Sequence, residues 1–261
     1  MTTRIVVALV ALPFVLIPIY LGGIWSVALF LVVALIGGHE FYNMLDVGGY
    51  FPARWLGLIW TALLVLSFWS PTHIPSTTLL TAGLIITLCY SLFRTEAPVS
   101  TWLATAGVAI YLGIMIGQML GLRLADNGLW WLVLAALITW SNDTLAYFSG
   151  VTLGRHKLWP RLSPKKTWEG TIGGWIGAGL AGALVAHFAP LPIDALTGLA
   201  IGLVGGILAL FGDLSVSMIK RQVGVKDSGT LFPGHGGMLD RLDSLLFVIP
   251  FVYQAVFLFG R

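Results

Sequence analysis

Long apolar runs broken by short polar clusters dominate this chain. No Asp, Glu, Lys or Arg occurs between Arg4 and Glu40, between Arg54 and Arg94, or between Glu96 and Arg123. A helix needs roughly 20 apolar residues to cross the hydrocarbon of a bilayer. The first two intervals are long enough for two crossings each. Hydropathy and turn residues together predict nine spans, at about 5–20, 23–44, 55–70, 76–93, 102–122, 128–148, 170–189, 195–216 and 243–259. The connections Tyr20–Gly23 and Ser70–Ser76 read as tight hairpins, whereas Ser149–Glu169 and Ser217–Arg241 are long and polar.

Composition turns this pattern into a class. The chain is 57% hydrophobic and 10% charged, against about 25% charged in soluble domains. The expectation is an all-α, polytopic integral membrane protein. The N-terminal apolar run lacks a small-residue cleavage site and a second run follows at once, so it reads as a retained first helix. The single cysteine, Cys89, sits in an apolar segment and reads as a small buried residue. Twelve Lys and Arg fall on the side of the N-terminus and even-numbered loops, and only Arg123 and Arg261 on the other. The positive-inside rule then puts the N-terminus and both long loops in the cytoplasm. That orientation rests on the two long loops.

Motifs for soluble nucleotide binding do not fit. The segment Gly177–Gly182 matches G-x-G-x-x-G, but no strand precedes it. Gly170, Gly173, Gly174 and Gly177 instead read as a helix face that lets neighbouring backbones approach. No P-loop sequence occurs.

Candidate chemistry lies in the C-terminal half. Asp143 and Asp213 sit inside apolar spans, where a carboxylate is costly and marks function by default. Topology places both in the last turns of their helices, near the cytoplasmic surface, with Asp240 at the start of the last span on the same side. A carboxylate near a helix C-terminus opposes the macrodipole, and a hard cation such as Mg2+ would relieve that. The alternative is pairing with a nearby arginine. Asp213, Ser217, Lys220 and Arg221 are spaced to share one face if the helix continues past the membrane. Ser163 and Pro164 read as N-cap and first residue of a helix, with Lys165 and Lys166 in its first turn. Cations there suit an anion bound at the helix start, or else anionic lipid headgroups. His235, between Gly234 and Gly236, could serve as acid, ligand or phosphate donor, or simply hold the turn.

The segment Ser217–Asp243, "SMIKRQVGVKDSGTLFPGHGGMLDRLD", resembles the C-terminal signature of phosphatidate cytidylyltransferases. "WSNDTLAYFSG", "SPKKTWEG" and "GDLSVSMIKR" resemble further motifs of that family. One departure is Val216, where the family usually has Glu. The resemblance implies transfer of CMP from CTP to phosphatidic acid, with release of CDP-diacylglycerol and pyrophosphate, at the inner (cytoplasmic) membrane. It implies a catalytic region over 101–261, with cytoplasmic loops 149–169 and 217–241, behind N-terminal helices over 1–100. Carried over by motif, the catalytic set is Lys166, Asp213, Ser217, Lys220, Arg221, Lys226, His235, Asp240 and Arg241. Substrate binding falls to Asn142, Asp143, Lys165, Thr167, Asp227, Gly236 and Gly237. Asp213 and Asp240 would hold Mg2+, with Asp143 contributing, and a second, monovalent cation is left open. The partners implied are CTP, phosphatidic acid and membrane lipids, with no nucleic acid and a homodimer left open.

Two other readings compete. A CTP-dependent polyprenol or lipid kinase would use similar residues. An ion-coupled transporter also carries intramembrane acids, but tends to place its site at the bilayer midplane between inverted repeats.

Overall fold

A computed structural model describes the backbone of residues 2–232, 234 and 236–259, and side-chain surroundings from residue 12 onward. Among the described residues, ten helices and one short hairpin form. They are α1 (Thr2–Leu21), α2 (Gly23–Val47), α3 (Arg54–Ser67), α4 (Ser76–Leu92), α5 (Pro98–Leu124), α6 (Gly128–Leu153), β1 (Lys157–Trp159), β2 (Ser163–Thr167), α7 (Trp168–Phe188), α8 (Ala195–Gln222), α9 (Leu239–Leu242) and α10 (Leu245–Phe259). Each of the nine predicted spans coincides with one of these helices. Among the described residues, four helices (α2, α5, α7 and α8) are long and apolar enough to cross a membrane. Helices are the natural outcome for such segments, because lipid offers no partner to a free backbone N–H or C=O.

The chain divides into two compact units, residues 1–124 with 220–241, and residues 125–219 with 242–261. In the first, Trp60 and Leu64 of α3 pack on Ala106 and Ala109 of α5, with Leu79 and Leu80 of α4 alongside. The fully buried Tyr42 of α2 donates from its hydroxyl to the Thr105 carbonyl at 2.9 Å. Gly57 leaves room for that ring, since a Cβ there would overlap the phenol. Arg123 at the end of α5 donates to the carbonyls of Ile19 and Tyr20, at 2.6 and 3.1 Å. It thereby caps the last turn of α1, which is followed at once by Gly22 in the left-handed region.

In the second unit, the small residues of α7 do what the sequence led us to expect. A Cβ on Gly182 would strike the Gly198 carbonyl of α8, and one on Gly174 would strike Asn142 of α6. The helices therefore touch backbone to backbone.

The segment before α7 differs from the sequence reading. Ser163–Thr167 is a strand, paired antiparallel with Lys157–Trp159. The N-cap of α7 is Thr167, whose Oγ1 accepts from Gly170 N at 3.2 Å. Threonine caps through the same hydroxyl acceptance as serine, and Pro164, which has no N–H to pair, is tolerated because both strands of a two-stranded hairpin are edge strands. Lys165 and Lys166 therefore belong to a strand, not to a first helical turn. Cations facing a helix dipole no longer argue for a bound anion.

The two aspartates expected inside apolar spans also sit deeper along their helices than expected. Asp143 lies ten residues before the end of α6 at Leu153, and Asp213 nine before the end of α8 at Gln222. Apolar composition marks contact with lipid, while the helical hydrogen bonds carry on past it. The macrodipole acts mainly within the last turn, so it places no penalty on either acid.

Candidate active site

An open cleft of about 520 Å3 lies within the second unit. Asn142 and Asp143 of α6, Lys157 of β1, Lys165 and Lys166 of β2, and Asp213 of α8 line it. Lys166 Nζ meets Asp213 Oδ2 at 2.5 Å, and both side chains are about two-thirds buried. Ser217, one turn on, donates to Asp213 Oδ1 at 3.3 Å. Asp143 lines the same cleft as Asp213 and Lys166. Asn142 is buried and its amide reaches towards Asp143 at 3.5 Å. Thr167 is buried at the cleft's edge, where it caps α7. The strand thus turns Lys166 onto an acid, while Lys165 stays exposed at the rim.

The hairpin is latched by Glu169, which sequence reasoning left out of the site. Its carboxylate accepts from His156 Nδ1 at 2.6 Å, from Arg155 N at 3.1 Å and from His156 N at 3.3 Å.

The first unit carries a second polar cluster. Lys220 Nζ meets Asp240 Oδ1 at 2.6 Å, with side chains only 11% and 8% exposed. Asp240 Oδ2 accepts from Ser228 N at 2.8 Å and from Gly237 N and Ser228 Oγ at 3.0 Å. Burial pushes the Asp240 carboxyl up. The hydrogen bond from Lys220, the two backbone N–H groups and the lysine charge outweigh it, so the group lies below its ordinary range. Gly236 has φ +82° and faces Asp240, leaving no space for a Cβ. The chain reverses there, with Phe232 N donating to Gly236 O at 2.9 Å.

The remaining expected residues lie as follows. Arg221 is exposed and donates to the Val225 carbonyl at 3.3 Å. Lys226, Asp227 and Arg241 are exposed. His235 lies outside the described residues. Val216, the departure from the family pattern, is buried and apolar. The structure brings Asp143, Lys166, Asp213 and Ser217 together in one unit, and Lys220, Gly237 and Asp240 in the other. Among the described residues, no group of three His, Cys, Asp or Glu is placed to hold a metal ion.

Glu40 of α2 is a further polar residue of the second cluster that the sequence reading missed. It is buried and accepts from Ser228 Oγ at 3.0 Å, Met238 N at 2.9 Å and Leu239 N at 3.1 Å. The signal was present: an acid inside an apolar span is the same flag that picked out Asp143 and Asp213.

The family model described as "Cytidylyltransferase family" matches residues 2–259. The chain is similar to the phosphatidate cytidylyltransferase of Synechocystis sp., at 35% identity over 98% of this chain and 97% of that protein. It is similar to the Bacillus subtilis protein of the same name at 44% identity, over 58% of this chain and 57% of that one. The Staphylococcus aureus protein of that name is 42% identical over 54% of this chain and 53% of its own length.

Proposed function

We propose that this chain, which belongs to the cytidylyltransferase family, transfers CMP from CTP to phosphatidate, giving CDP-diacylglycerol and pyrophosphate. The cleft where Lys166 meets Asp213, flanked by Lys157, Lys165 and Asp143, is the observation that carries this reading. Lysines at a cleft rim suit phosphates, and an apolar scaffold suits a substrate with acyl chains.

The residues lining the cleft include no Ser, Cys or His to act as a nucleophile with its base, and the one Ser–His contact among the described residues, Ser70 with His73, is exposed in the turn between α3 and α4, so the reaction runs in one displacement. A phosphate oxygen of the lipid attacks the α-phosphorus of CTP. The new P–O bond forms as the bond to the β-phosphate bridge breaks, and pyrophosphate leaves with the electron pair. Such a reaction asks the protein mainly for positioning and charge neutralisation. Lys157, Lys165 and Lys166 hold phosphate oxygens in the cleft, Asn142 and Thr167 shape its wall, and Ser217 steadies Asp213. In the first unit, Lys220 is held in place by Asp240, and the resemblance assigns it, Arg221, Lys226 and Arg241 to phosphate neutralisation.

Mg2+ fits the donor set of the cleft. Asp143 and Asp213 are two neighbouring hard carboxylates, and Mg2+ is commonly bound through one or two carboxylates plus substrate phosphates and water. When bound, it would offset the charge that develops on the departing pyrophosphate. Asp240, the third expected ligand, has Lys220 on Oδ1 and three donors at Oδ2. A metal at Asp240 must displace Lys220, and one at Asp213 must displace Lys166 from Oδ2.

The nine apolar helices cross the cytoplasmic membrane with the N-terminus and the segments 149–169 and 217–241 inside, as the charge asymmetry supports. The test of the reaction is pyrophosphate release by purified protein in detergent. Release that requires both CTP and phosphatidate supports it. Release of no pyrophosphate, or CDP in its place, refutes it, the latter in favour of a lipid kinase.

A further inference from the structure

We propose that Glu40 is a positioning residue: from α2 it anchors the backbone that holds the Lys220–Asp240 pair. Glu40 is 6% exposed, and among the described residues it has no ion-pair partner. A buried carboxylate without a cation is costly unless donors surround it. Here the donors come from one segment. Oε1 accepts from Met238 N at 2.9 Å, and Oε2 from Leu239 N at 3.1 Å and Ser228 Oγ at 3.0 Å.

Asp240 grips the same backbone, through Ser228 N at 2.8 Å and Gly237 N at 3.0 Å. The Ser228 hydroxyl lies 3.0 Å from both carboxylates and has one proton to give. Residues 228 and 237–239 are therefore clamped between two acids, and only one of these acids carries a lysine. Glycines make the clamp fit. A Cβ on Gly229 would come within 2.6 Å of Glu40 Oε1, and one on Gly237 would overlap Oε2 and the Ser228 hydroxyl. The segment is shaped around this carboxylate, so moving it moves the groups that fix Asp240, and through Asp240 the Lys220 ammonium.

The anchor needs acceptors on both arms. Glutamine has the right size, but its amide donates where Met238 or Leu239 also donates. Aspartate is too short by one methylene yet keeps both acceptors. Backbone amide exchange of the unliganded protein, followed by mass spectrometry, tests the anchor without substrate. Glu40→Gln should speed exchange at Met238 and Leu239 about tenfold or more while α5 keeps its protection. Unchanged exchange at those two amides overturns the proposal. If Glu40→Gln does not fold, Ser228→Ala takes its place, removing one of the three donors. A smaller rise confined to 237–239 supports the anchor, and no rise overturns it.

The effect on turnover rests on the function proposed above. There, Glu40→Asp should keep more activity than Glu40→Gln, whereas a residue that only fills space would rank the other way and refute the role. If exchange responds as expected and the unaltered protein makes no CDP-diacylglycerol, the functional reading fails and the anchor stands.

Discussion

Replacing Lys220 with Met, and Asp240 with Asn, tests how the glycine-rich segment is held. The pair is nearly dry, with side chains 11% and 8% exposed. Removing one partner of a buried pair commonly costs about 3–5 kcal/mol, because the other is left charged and unpaired. The two halves are unequal here. When Lys220→Met removes the ammonium, Asp240 keeps three donors from Ser228 and Gly237, so the cost falls below that range, at about 2–3 kcal/mol. When Asp240→Asn removes the carboxylate, Lys220 faces an amide and the two backbone N–H groups lose a charged acceptor, so the cost is about 3–5 kcal/mol. Once one change is made the other loses much of its effect, and the double variant should fall short of the sum by about 2 kcal/mol. Denaturant unfolding in mixed micelles reads all four proteins. The acid limb supplies a second readout. Asp240 lies below its ordinary range in the folded protein, so its stabilisation is complete above the unfolded value, about 3.9, and is lost as pH falls through the lower folded value. Without the lysine the folded value rises towards the unfolded one, so Lys220→Met should lose less stability across the acid limb than the unaltered protein. Additive single effects within about 0.5 kcal/mol, or an acid limb of unchanged depth, refute the coupling.

Three further outcomes are expected. Asp213→Asn should keep the fold and lower turnover by about a hundredfold or more, the scale of one preorganised electrostatic contact, while Asp194→Asn should be silent, because Asp194 only caps Thr197 N at 2.8 Å and asparagine caps as well. Gly182→Ile should destabilise by about 1–3 kcal/mol, since its Cβ meets the Gly198 carbonyl of α8 rather than a flexible side chain, and an unchanged unfolding midpoint would rule out that close approach. In a Cys89→Ser background, cysteine at position 126 should react with an impermeant reagent on intact cells and cysteine at 157 or 226 should not, and the reverse pattern would invert the topology.

The helices were legible because lipid makes one demand on every span. Pro98–Leu124 and Ala195–Gln222 follow from apolar length alone. Their ends were not legible, since polar residues such as those after Asp143 continue a helix whose hydrogen bonds are already running. The hairpin around Lys165 escaped notice because serine, proline and lysine before an apolar run also spell a helix start, and only pairing with Lys157–Trp159 decides otherwise. Asp143, Asp213 and Asp240 stood out as acids in or beside apolar runs. Glu40 carried the same signal in the N-terminal half, far in sequence from every motif, and only the fold brings it to Ser228 and Leu239. Which lysine meets which aspartate was likewise a matter of tertiary structure, as Lys166 with Asp213 and Lys220 with Asp240 lie 47 and 20 residues apart.

The fate of each phosphorus of CTP tests the central claim most directly. Purified protein in detergent, given phosphatidate and CTP labelled at either the α or the γ position, should place the α label in the lipid product and the γ label in pyrophosphate. A γ label in the lipid would contradict the proposed reaction and point to phosphoryl transfer by a kinase, and no label in lipid from either position would contradict both.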